Sequence, residues 1–282
     1  IRDKLVTGVQ TCALPISTRS PTEVGSGRSL IGVCVSTSAV RNRWAAGAAA
    51  RLAWVSIPDP QIIEAVASSG AFDAVVLDLQ HSPFDRAAAI AAIRTAAPHP
   101  VSVLARIPSA DTDLIGWLLD GGLDGVIVAM CDTPATAERI VAATRYQPEG
   151  VRSYGTYRPN SAGIDPVAYS QSIIVLPMIE SASGMVNAAA IAAVEGVDGL
   201  FIGPSDLGLS MGEGVGQDRH EPAMLAAYDA VKRAAAASSK QVGIFAVSAP
   251  YAAECAANGF SLVVPWFDSK VLGASIDAAR LP

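Results

Sequence analysis

The chain has 282 residues, of which 51% are hydrophobic and 16% charged, and its formal net charge is −6. A chain of this length and composition can bury a large core, either as one domain of α/β-barrel size or as two smaller domains. The acidic balance, with no basic run, argues against a nucleic-acid partner. No apolar run reaches the ~20 residues of a membrane span. These exclusions favour a small-molecule ligand.

The first 39 residues differ in character from the rest of the chain. Residues 6–16, VTGVQTCALPI, look like the translation of a sequencing-adapter oligonucleotide, and the chain does not begin with Met. A signal peptide is the competing interpretation, but polar residues interrupt its apolar stretch. Residues 17–39 are rich in Ser, Thr and Gly without a clear period, which leaves open a tail, a frameshifted remnant or a short N-terminal strand at Leu30–Val35. We predict a non-native or disordered extension over 1–39, adapter-like over 1–16, and one domain over 40–282.

From about residue 40, short β-branched runs alternate with Ala-rich segments of helical period. Eight runs predict strands, at Leu52–Ser56, Ala74–Leu79, Val101–Arg106, Gly125–Ala129, Ile173–Ile179, Gly199–Ile202, Gln241–Phe245 and Leu262–Pro265. Eight strand–helix units in this length predict a single-domain TIM (β/α)8 barrel of the α/β class. A doubly wound open sheet is the alternative, but no GxGxxG follows the first strand.

The second predicted strand ends abruptly in polar residues, among them Asp78 and His81. In a parallel barrel this end borders the ligand site. We predict that Asp78 orients or charge-stabilises His81, which then serves as a general base. The alternative for His81 is a structural hydrogen bond. We also predict that Ser82 is the N-cap of the helix that runs through residues 86–97.

Three further ionisable residues follow predicted strands. Arg106 ends the third strand without an acidic partner nearby along the chain, and its planar donors suit a carboxylate or an enolate oxygen. Glu180 ends the fifth strand and Asp206 follows the sixth, so their carboxylates should converge and repel unless a cation or a proton lies between them. Without a Cys/His cluster, these oxygen ligands predict a hard divalent ion. Taken singly, each carboxylate has the alternative role of a helix N-cap.

The Gly-Pro turn in GPSDLGLSMG, which includes Ser205, predicts backbone N–H groups that can bind a ligand carboxylate. The four cysteines, Cys12, Cys34, Cys131 and Cys255, have no metal-type spacing, which predicts unpaired thiols in a reducing, cytoplasmic setting. Cys131 follows a predicted strand, and a buried, inert thiol is favoured over one that borders the site.

Between about Val40 and Asp277 the chain contains, in order, LDLQHSPFD, VLARIP, LLDGG, AATRYQPEGVRSYG, MIESASG, VEGVDGLFIGPSDLGLSMG and GIFAVSAPYAAECAANGFSLVVPWFD. Together these stretches resemble the 4-hydroxy-2-oxoheptanedioate and 2-keto-3-deoxy-sugar-acid aldolase family. The members are class II, metal-dependent pyruvate aldolases of the phosphoenolpyruvate/pyruvate superfamily. The resemblance implies a divalent ion, Mg²⁺, Mn²⁺ or Co²⁺, a 2-oxo acid and an aldehyde as small-molecule partners, and a homotrimer or homohexamer.

Carried over position by position, the resemblance implies that His81 is the catalytic base and that Arg106 stabilises the transition state. It implies that Asp120 raises the basicity of His81. Glu180 and Asp206 become the metal ligands. The resemblance also implies that the carboxylate of the pyruvate half of the substrate lies near the backbone groups of Ser205 and Asp206. Two positions depart from the family pattern, namely Gln80 in place of a Glu and Met178 in place of a substrate-contacting Gln.

The predicted reaction is reversible retro-aldol cleavage of a 4-hydroxy-2-oxo acid to pyruvate and an aldehyde. A Schiff-base route is disfavoured because no barrel lysine, among Lys232, Lys240 and Lys270, lies at a strand end. A CoA-thioester lyase of citramalyl- or malyl-CoA type is the first alternative, and a non-catalytic barrel that binds a ligand is the second. The long segment 145–172 is predicted to cover the barrel mouth or to reach a neighbouring subunit.

Overall fold

A computed structural model describes residues 38–155 and 163–280, which form a closed barrel of eight parallel strands. Each strand pairs with the next in sequence order, and β8 closes the barrel on β1. The strands are β1 (Ala50–Val55), β2 (Ala74–Asp78), β3 (Ser102–Ile107), β4 (Gly125–Val128), β5 (Ile174–Ile179), β6 (Gly199–Ile202), β7 (Gln241–Ile244) and β8 (Leu262–Phe267). The predicted TIM barrel is confirmed, and the eight predicted strands coincide with these to within about two residues at each end.

Helices surround the barrel, and most connect one strand to the next. They are α1 (Ala39–Ala45), α2 (Pro60–Ser68), α3 (Arg86–Ala96), α4 (Thr112–Asp120), α5 (Pro134–Thr144), α6 (Pro166–Ser172), α7 (Ala182–Ala192), α8 (Pro204–Met211), α9 (Pro222–Ala237), α10 (Ala249–Ala257) and α11 (Asp268–Ala278). Within the part of the chain that the structure describes, no helix is long and apolar enough to cross a membrane.

Two apolar layers explain why the strands are apolar on both faces. Inside the barrel, Trp54 and Phe201 are fully buried in one cluster. Outside it, residues such as Val55 and Leu77 pack against the helices in a second cluster. Because both faces of a parallel barrel strand are covered, its residues form a nearly continuous apolar run rather than an alternating one.

Helix α1 closes the amino end of the barrel, which the sequence analysis did not predict. Its Val40 is fully buried in the interior cluster, and the Trp44 indole donates a hydrogen bond to the carbonyl of Ser261, 3.1 Å away, just before β8. The Ser38 hydroxyl lies 2.7 Å from that of Ser102, at the start of β3. The predicted extension over 1–39, with its adapter-like residues, lies almost wholly outside the described residues and stays a prediction.

The N-cap predicted after β2 is wrong. Helix α3 begins at Arg86, and the Asp85 side chain is its N-cap, accepting a hydrogen bond from the backbone N–H of Ala88 at 2.8 Å. Ser82 instead donates its hydroxyl hydrogen bond to the Asp78 carbonyl and accepts one from the Phe84 N–H. The hydroxyl therefore holds the loop against the end of β2, and the helix starts four residues later.

Candidate active site

A cavity of about 230 Å³ opens at the carboxyl ends of the strands. It brings together seven of the eight predicted site residues, all except Asp120. Its lining residues are Trp54, Asp78, His81, Arg106, Met178, Glu180, Gly203, Pro204, Ser205, Asp206, Gln217, Phe245 and Phe267. Polar groups collect at this end because each strand stops here and its βα loop begins.

Arg106 has an acidic partner after all, and it comes from the neighbouring strand. Asp78 and Arg106 are register partners on β2 and β3, and the guanidinium donates to both carboxylate oxygens, with Nε 2.9 Å from Oδ1. The Arg106 guanidinium also lies over the Trp54 ring, 5.1 Å from its centroid. This bidentate pair fixes the plane of the guanidinium at the cavity wall.

Asp78 organises the loop rather than the imidazole ring. Its Oδ1 accepts the backbone N–H groups of Gln80 (3.0 Å) and His81 (3.1 Å), and its Oδ2 accepts the Trp54 indole N–H (3.2 Å). Burial alone would raise the pKa of Asp78, but Arg106 and the backbone N–H groups of His81 and Gln80 hold that pKa below its ordinary value. No hydrogen bond joins the Asp78 carboxylate to the His81 ring among the described residues, so the hydrogen bond by which Asp78 orients His81 is to its backbone N–H.

Glu180 is buried at the end of β5, with 2% of its surface exposed. Its Oε1 accepts the backbone N–H of Met130 at 2.7 Å. Burial raises the pKa of Glu180 to about 7, and the nearby Asp206 carboxylate raises it further, while the Met130 N–H and Arg106 oppose the rise. A carboxylate that is buried and has so high a pKa needs a bound proton or a cation as its partner.

Neither predicted metal ligand is a helix N-cap. Ser181 is the N-cap of α7, where its hydroxyl accepts the Gly184 N–H at 2.9 Å, so Glu180 lies one residue before the cap. Asp206 lies inside the first turn of α8, whose N-cap is Gly203. Both carboxylates are therefore free to face the cavity they line.

Gly203 keeps the space beside Glu180 open. A Cβ atom at this position would lie 2.5 Å from Glu180 Oε2 and 2.8 Å from the Met178 methyl carbon. Glycine is required here because of this close approach, since its φ of −101° is open to other residues. Met178, 2% exposed, supplies an apolar side chain at this point of the cavity wall.

The donor set fits a hard divalent cation. It consists of two carboxylates, one of them buried with a raised pKa, that follow the adjacent strands β5 and β6, Glu180 directly after β5 and Asp206 in the first turn of α8. No group of three or more His, Cys, Asp or Glu side chains is arranged for metal binding among the described residues. Mg²⁺-type ions are held by one or two carboxylates and keep other positions for water and substrate, so two protein ligands suffice.

The amino end of α8 also borders the cavity. Proline occupies the first turn, and no side chain caps the helix, so the N–H groups of Ser205 and Asp206 are oriented as at any open helix N-terminus. The Ser205 hydroxyl donates to the Gly216 carbonyl at 3.1 Å and thus joins α8 to the loop that follows it.

Asp120 lies elsewhere. It is the last residue of α4, at the amino end of the barrel, because α4 runs antiparallel to the strands and ends just before β4 begins. Its Oδ1 accepts a hydrogen bond from Arg152 Nη2 at 2.6 Å, and its side chain is 33% exposed. Burial raises the pKa of Asp120, which Arg152 opposes. Within one chain, the structure does not bring Asp120 and His81 together.

Sequence reasoning missed four lining residues, namely Trp54, Gln217, Phe245 and Phe267. The three aromatic residues end strands or follow them directly, and they form a chain of edge-to-face contacts. The Trp54 and Phe245 centroids are 4.9 Å apart, and those of Phe245 and Phe267 are 5.9 Å apart. Their positions near the ends of strands could have indicated that they line the cavity. In the sequence, however, an aromatic residue at such a position looks the same as a residue of the hydrophobic core. Gln217 lies in an irregular loop and gave no signal.

Cys131 and Cys255 are free and buried. Burial raises the pKa of Cys131 to about 12 and that of Cys255 to about 11, so neither is a reactive thiolate. The preferred interpretation of Cys131 as an inert, buried thiol is confirmed. Cys12 and Cys34 lie outside the described residues.

Comparison with known proteins decides the family. Residues 51–274 match the family described as HpcH/HpaI aldolase/citrate lyase. The chain belongs to this family. It is 36% identical to a hydroxypyruvate/pyruvate aldolase of Rhizorhabdus wittichii, over 84% of this chain and 94% of that relative. It is also 36% identical to a 5-keto-4-deoxy-D-glucarate aldolase of Escherichia coli, over 68% of this chain and 76% of that relative.

A solved structure of an HpcH/HpaI aldolase/citrate lyase family protein from Burkholderia cenocepacia superposes with a TM-score of 0.77 at 27% identity. The alignment covers 86% of this chain and 98% of the Burkholderia protein. The family resemblance stated from the motifs is thereby confirmed, and the chain is a carbon–carbon lyase of the aldolase type.

Proposed function

We propose that this HpcH/HpaI family member is a divalent-metal-dependent aldolase that cleaves a 4-hydroxy-2-oxo acid reversibly into pyruvate and an aldehyde. The observation that carries the proposal is the buried Glu180 carboxylate, with its pKa raised to about 7, beside Asp206 and facing Arg106 and His81 in one cavity. Burying a carboxylate in this way is costly unless a cation binds it, so the arrangement supports a catalytic metal centre.

Glu180 and Asp206 are the proposed metal ligands. When bound, Mg²⁺, Mn²⁺ or Co²⁺ would act as a Lewis acid toward the 2-oxo group. The N–H groups of Ser205 and Asp206, at the uncapped start of α8, are the proposed binding site for the substrate carboxylate. With the substrate bound in this way, the C3–C4 bond would lie between the two carboxylates on one side and His81 and Arg106 on the other.

His81 is proposed to transfer the proton, and Arg106 is proposed to stabilise the negative charge that develops on the substrate. His81 accepts the proton of the 4-hydroxyl group as the C3–C4 bond breaks, which leaves an enolate of pyruvate. Arg106, held rigid by Asp78, donates hydrogen bonds to the developing enolate oxygen. The proton that His81 accepted is then returned, directly or through solvent water, to the enolate carbon, which gives pyruvate and regenerates the base. Because Asp78 fixes the guanidinium beforehand, little reorganisation accompanies the charge development.

The proposal is tested by incubating the protein with a panel of 4-hydroxy-2-oxo acids and coupling pyruvate release to lactate dehydrogenase. We expect release that stops in EDTA and returns with Mg²⁺, Mn²⁺ or Co²⁺. Glu180→Gln should abolish the release, whereas Glu195→Gln, an exposed carboxylate outside the cavity, should retain it. Full release in EDTA contradicts metal dependence.

The two alternatives are less well supported. A CoA-thioester lyase needs cations for the nucleotide phosphates in addition to the site residues, yet Arg106 is the one permanent cation among the described lining residues, and the reaction itself uses it. A non-catalytic barrel has no use for a buried carboxylate, Glu180, that shares its cavity with the Asp206 carboxylate and a bidentate Arg–Asp pair. Pyruvate release in the assay above separates both alternatives from the proposed reaction.

We further propose a homotrimer or homohexamer, as the family resemblance implied. Helix α11 supports association because Val271, Leu272 and Ile276 are 43%, 50% and 57% exposed, and Asp268 is its only buried residue. Since Asp120 and His81 lie at opposite ends of one barrel, the predicted effect of Asp120 requires a second copy of the chain. Nucleic acid and membrane are not among the proposed partners, and a cytoplasmic location stays a prediction.

A further inference from the structure

The cavity has two chemically different sides. Ionisable side chains from β2, β3, β5 and the start of α8 form one side. Two partly exposed aromatic rings form the other, namely Phe245 just after β7 and Phe267 at the end of β8, in an edge-to-face contact with their centroids 5.9 Å apart. If the pyruvate half binds the ionisable side, as proposed above, the aldehyde half is left to the aromatic side.

Gln217 also lines the cavity, from the loop that joins α8 to α9. It differs from the other uncharged polar side chains there. The Ser205 hydroxyl is bonded to the Gly216 carbonyl, and the Trp54 indole is bonded to Asp78. Within the described ranges, the Gln217 amide has no protein hydrogen-bond partner, so its two N–H donors and its carbonyl oxygen are available to a ligand.

The backbone on both sides of Gln217 is held firmly. On one side, the Gly216 carbonyl accepts the Ser205 hydroxyl. On the other, Asp218 adopts a left-handed φ of 52° and its Oδ1 accepts the Val247 N–H at 2.9 Å, at the carboxyl end of β7. The Tyr251 hydroxyl donates to the Arg219 carbonyl at 2.8 Å.

The Arg219 side chain also restrains this loop, through hydrogen bonds to its backbone. It is 4% exposed and donates to the carbonyls of Gly214 (2.7 Å) and Glu213 (2.8 Å). A buried guanidinium that binds two carbonyls of its own loop leaves that loop little conformational freedom. The backbone at Gln217 is therefore held in place, so binding a ligand orders only the exposed side chain and not the loop.

We infer that Gln217 determines aldehyde specificity by forming a hydrogen bond to a hydroxyl group on the aldehyde half of the substrate. This inference rests on the proposed aldolase function. The partly exposed rings of Phe245 and Phe267 pack against the C–H groups of such an aldehyde, and Gln217 binds its hydroxyl. An aldehyde that bears a carboxylate meets no unpaired cation on this side among the described residues. The favoured substrate class is a neutral hydroxyaldehyde.

Two aldehydes with the same number of non-hydrogen atoms test this inference, because glycolaldehyde has a hydroxyl group where propanal has a methyl group. The measurement is kcat/KM for each aldehyde in the addition of pyruvate, with Mn²⁺ and saturating pyruvate. Gln217→Leu should lower kcat/KM for glycolaldehyde by about 10-fold and change that for propanal by less than about 2-fold. Gln171→Leu, the same replacement at an exposed position of α6, should change neither.

Equal losses for the two aldehydes in Gln217→Leu, or no loss for glycolaldehyde, overturn the inference while leaving the aldolase function in place. Failure of the proposed function has a separate signature. Deuterium exchange from D₂O into the methyl group of pyruvate requires enolate formation but no aldehyde. If the unmutated protein catalyses neither this exchange nor the addition of either aldehyde, the proposed function is wrong and the role of Gln217 is wrong with it.

Discussion

His81 carries the proton transfer in the proposed mechanism, and its position depends on Asp78 through the backbone rather than the ring. We predict that His81→Ala lowers kcat by ~10²-fold or more, with a smaller effect on KM, because a positioned general base contributes about that factor. Steady-state kinetics of pyruvate release measures it. His99→Ala is the matched control, since His99 lies near the amino end of β3 and bonds Glu64. Unchanged turnover in His81→Ala would assign His81 to a structural role.

Glu180 makes the metal-free protein sensitive to pH. Burial raises its pKa from 4.5 to about 7, so the folded state binds this proton more tightly than the unfolded state does. The resulting stability is fully present below about pH 4.5 and is lost as pH rises to about 7, by roughly 3 kcal/mol in total. Asp78 has the opposite sign, because its pKa is lowered and its contribution is lost only below its ordinary value of 3.8.

We therefore predict that, in EDTA to keep the protein free of metal, Glu180→Gln removes the fall in the free energy of unfolding that the unmutated protein shows as pH rises. Urea unfolding of the two proteins at pH 5 and pH 8 measures it, and the unmutated protein should lose more free energy of unfolding between these pH values than Glu180→Gln does. Glu195→Gln, at an exposed position, should behave as the unmutated protein. Identical pH dependence in Glu180→Gln and the unmutated protein would rule out the raised pKa.

At the scale of elements, the meeting of β5 and β6 determines the shape of the proposed metal site. Gly203 follows β6 and leaves the space that Glu180 Oε2 occupies. We predict that Gly203→Ala lowers Mn²⁺ affinity by about 10-fold or more, because its Cβ would lie 2.5 Å from that oxygen and displace the carboxylate. Calorimetric titration measures the affinity. Gly116→Ala, in α4 with no atom within 4 Å of the added Cβ, should bind Mn²⁺ normally, and normal binding by Gly203→Ala would contradict the account.

Elements also show what the sequence could and could not predict. The strands were predictable because burial on both faces leaves a continuous apolar run, and Glu180 and Asp206 were visible as polar residues where such runs stop. The Asp78–Arg106 pair was missed because the two residues meet across a strand register, 28 positions apart in the chain. Gln217 was missed because hydrogen bonds of Arg219 and Asp218, rather than any periodic pattern, determine the course of its loop.

At the scale of the whole molecule, association with further copies completes the account. Apolar side chains on α11 remain exposed, and Asp120 is remote from His81 within one chain. We predict a trimer or hexamer, measured by light scattering at micromolar concentration. The paired change Val271→Asp and Ile276→Asp should lower the molecular mass, because each would bury a charge at the proposed interface. An unmutated protein that is monomeric would contradict the prediction.

The whole molecule, with its barrel, its two carboxylates and its fixed arginine, is proposed to generate a metal-stabilised enolate of pyruvate. Deuterium exchange into the methyl group of pyruvate, followed by NMR, tests this claim most directly because it requires no choice of aldehyde. We predict exchange with Mg²⁺ or Mn²⁺, no exchange in EDTA, and none in Glu180→Gln or Asp206→Asn even with metal added. Exchange at the full rate in EDTA, or in either substituted protein, would contradict the account.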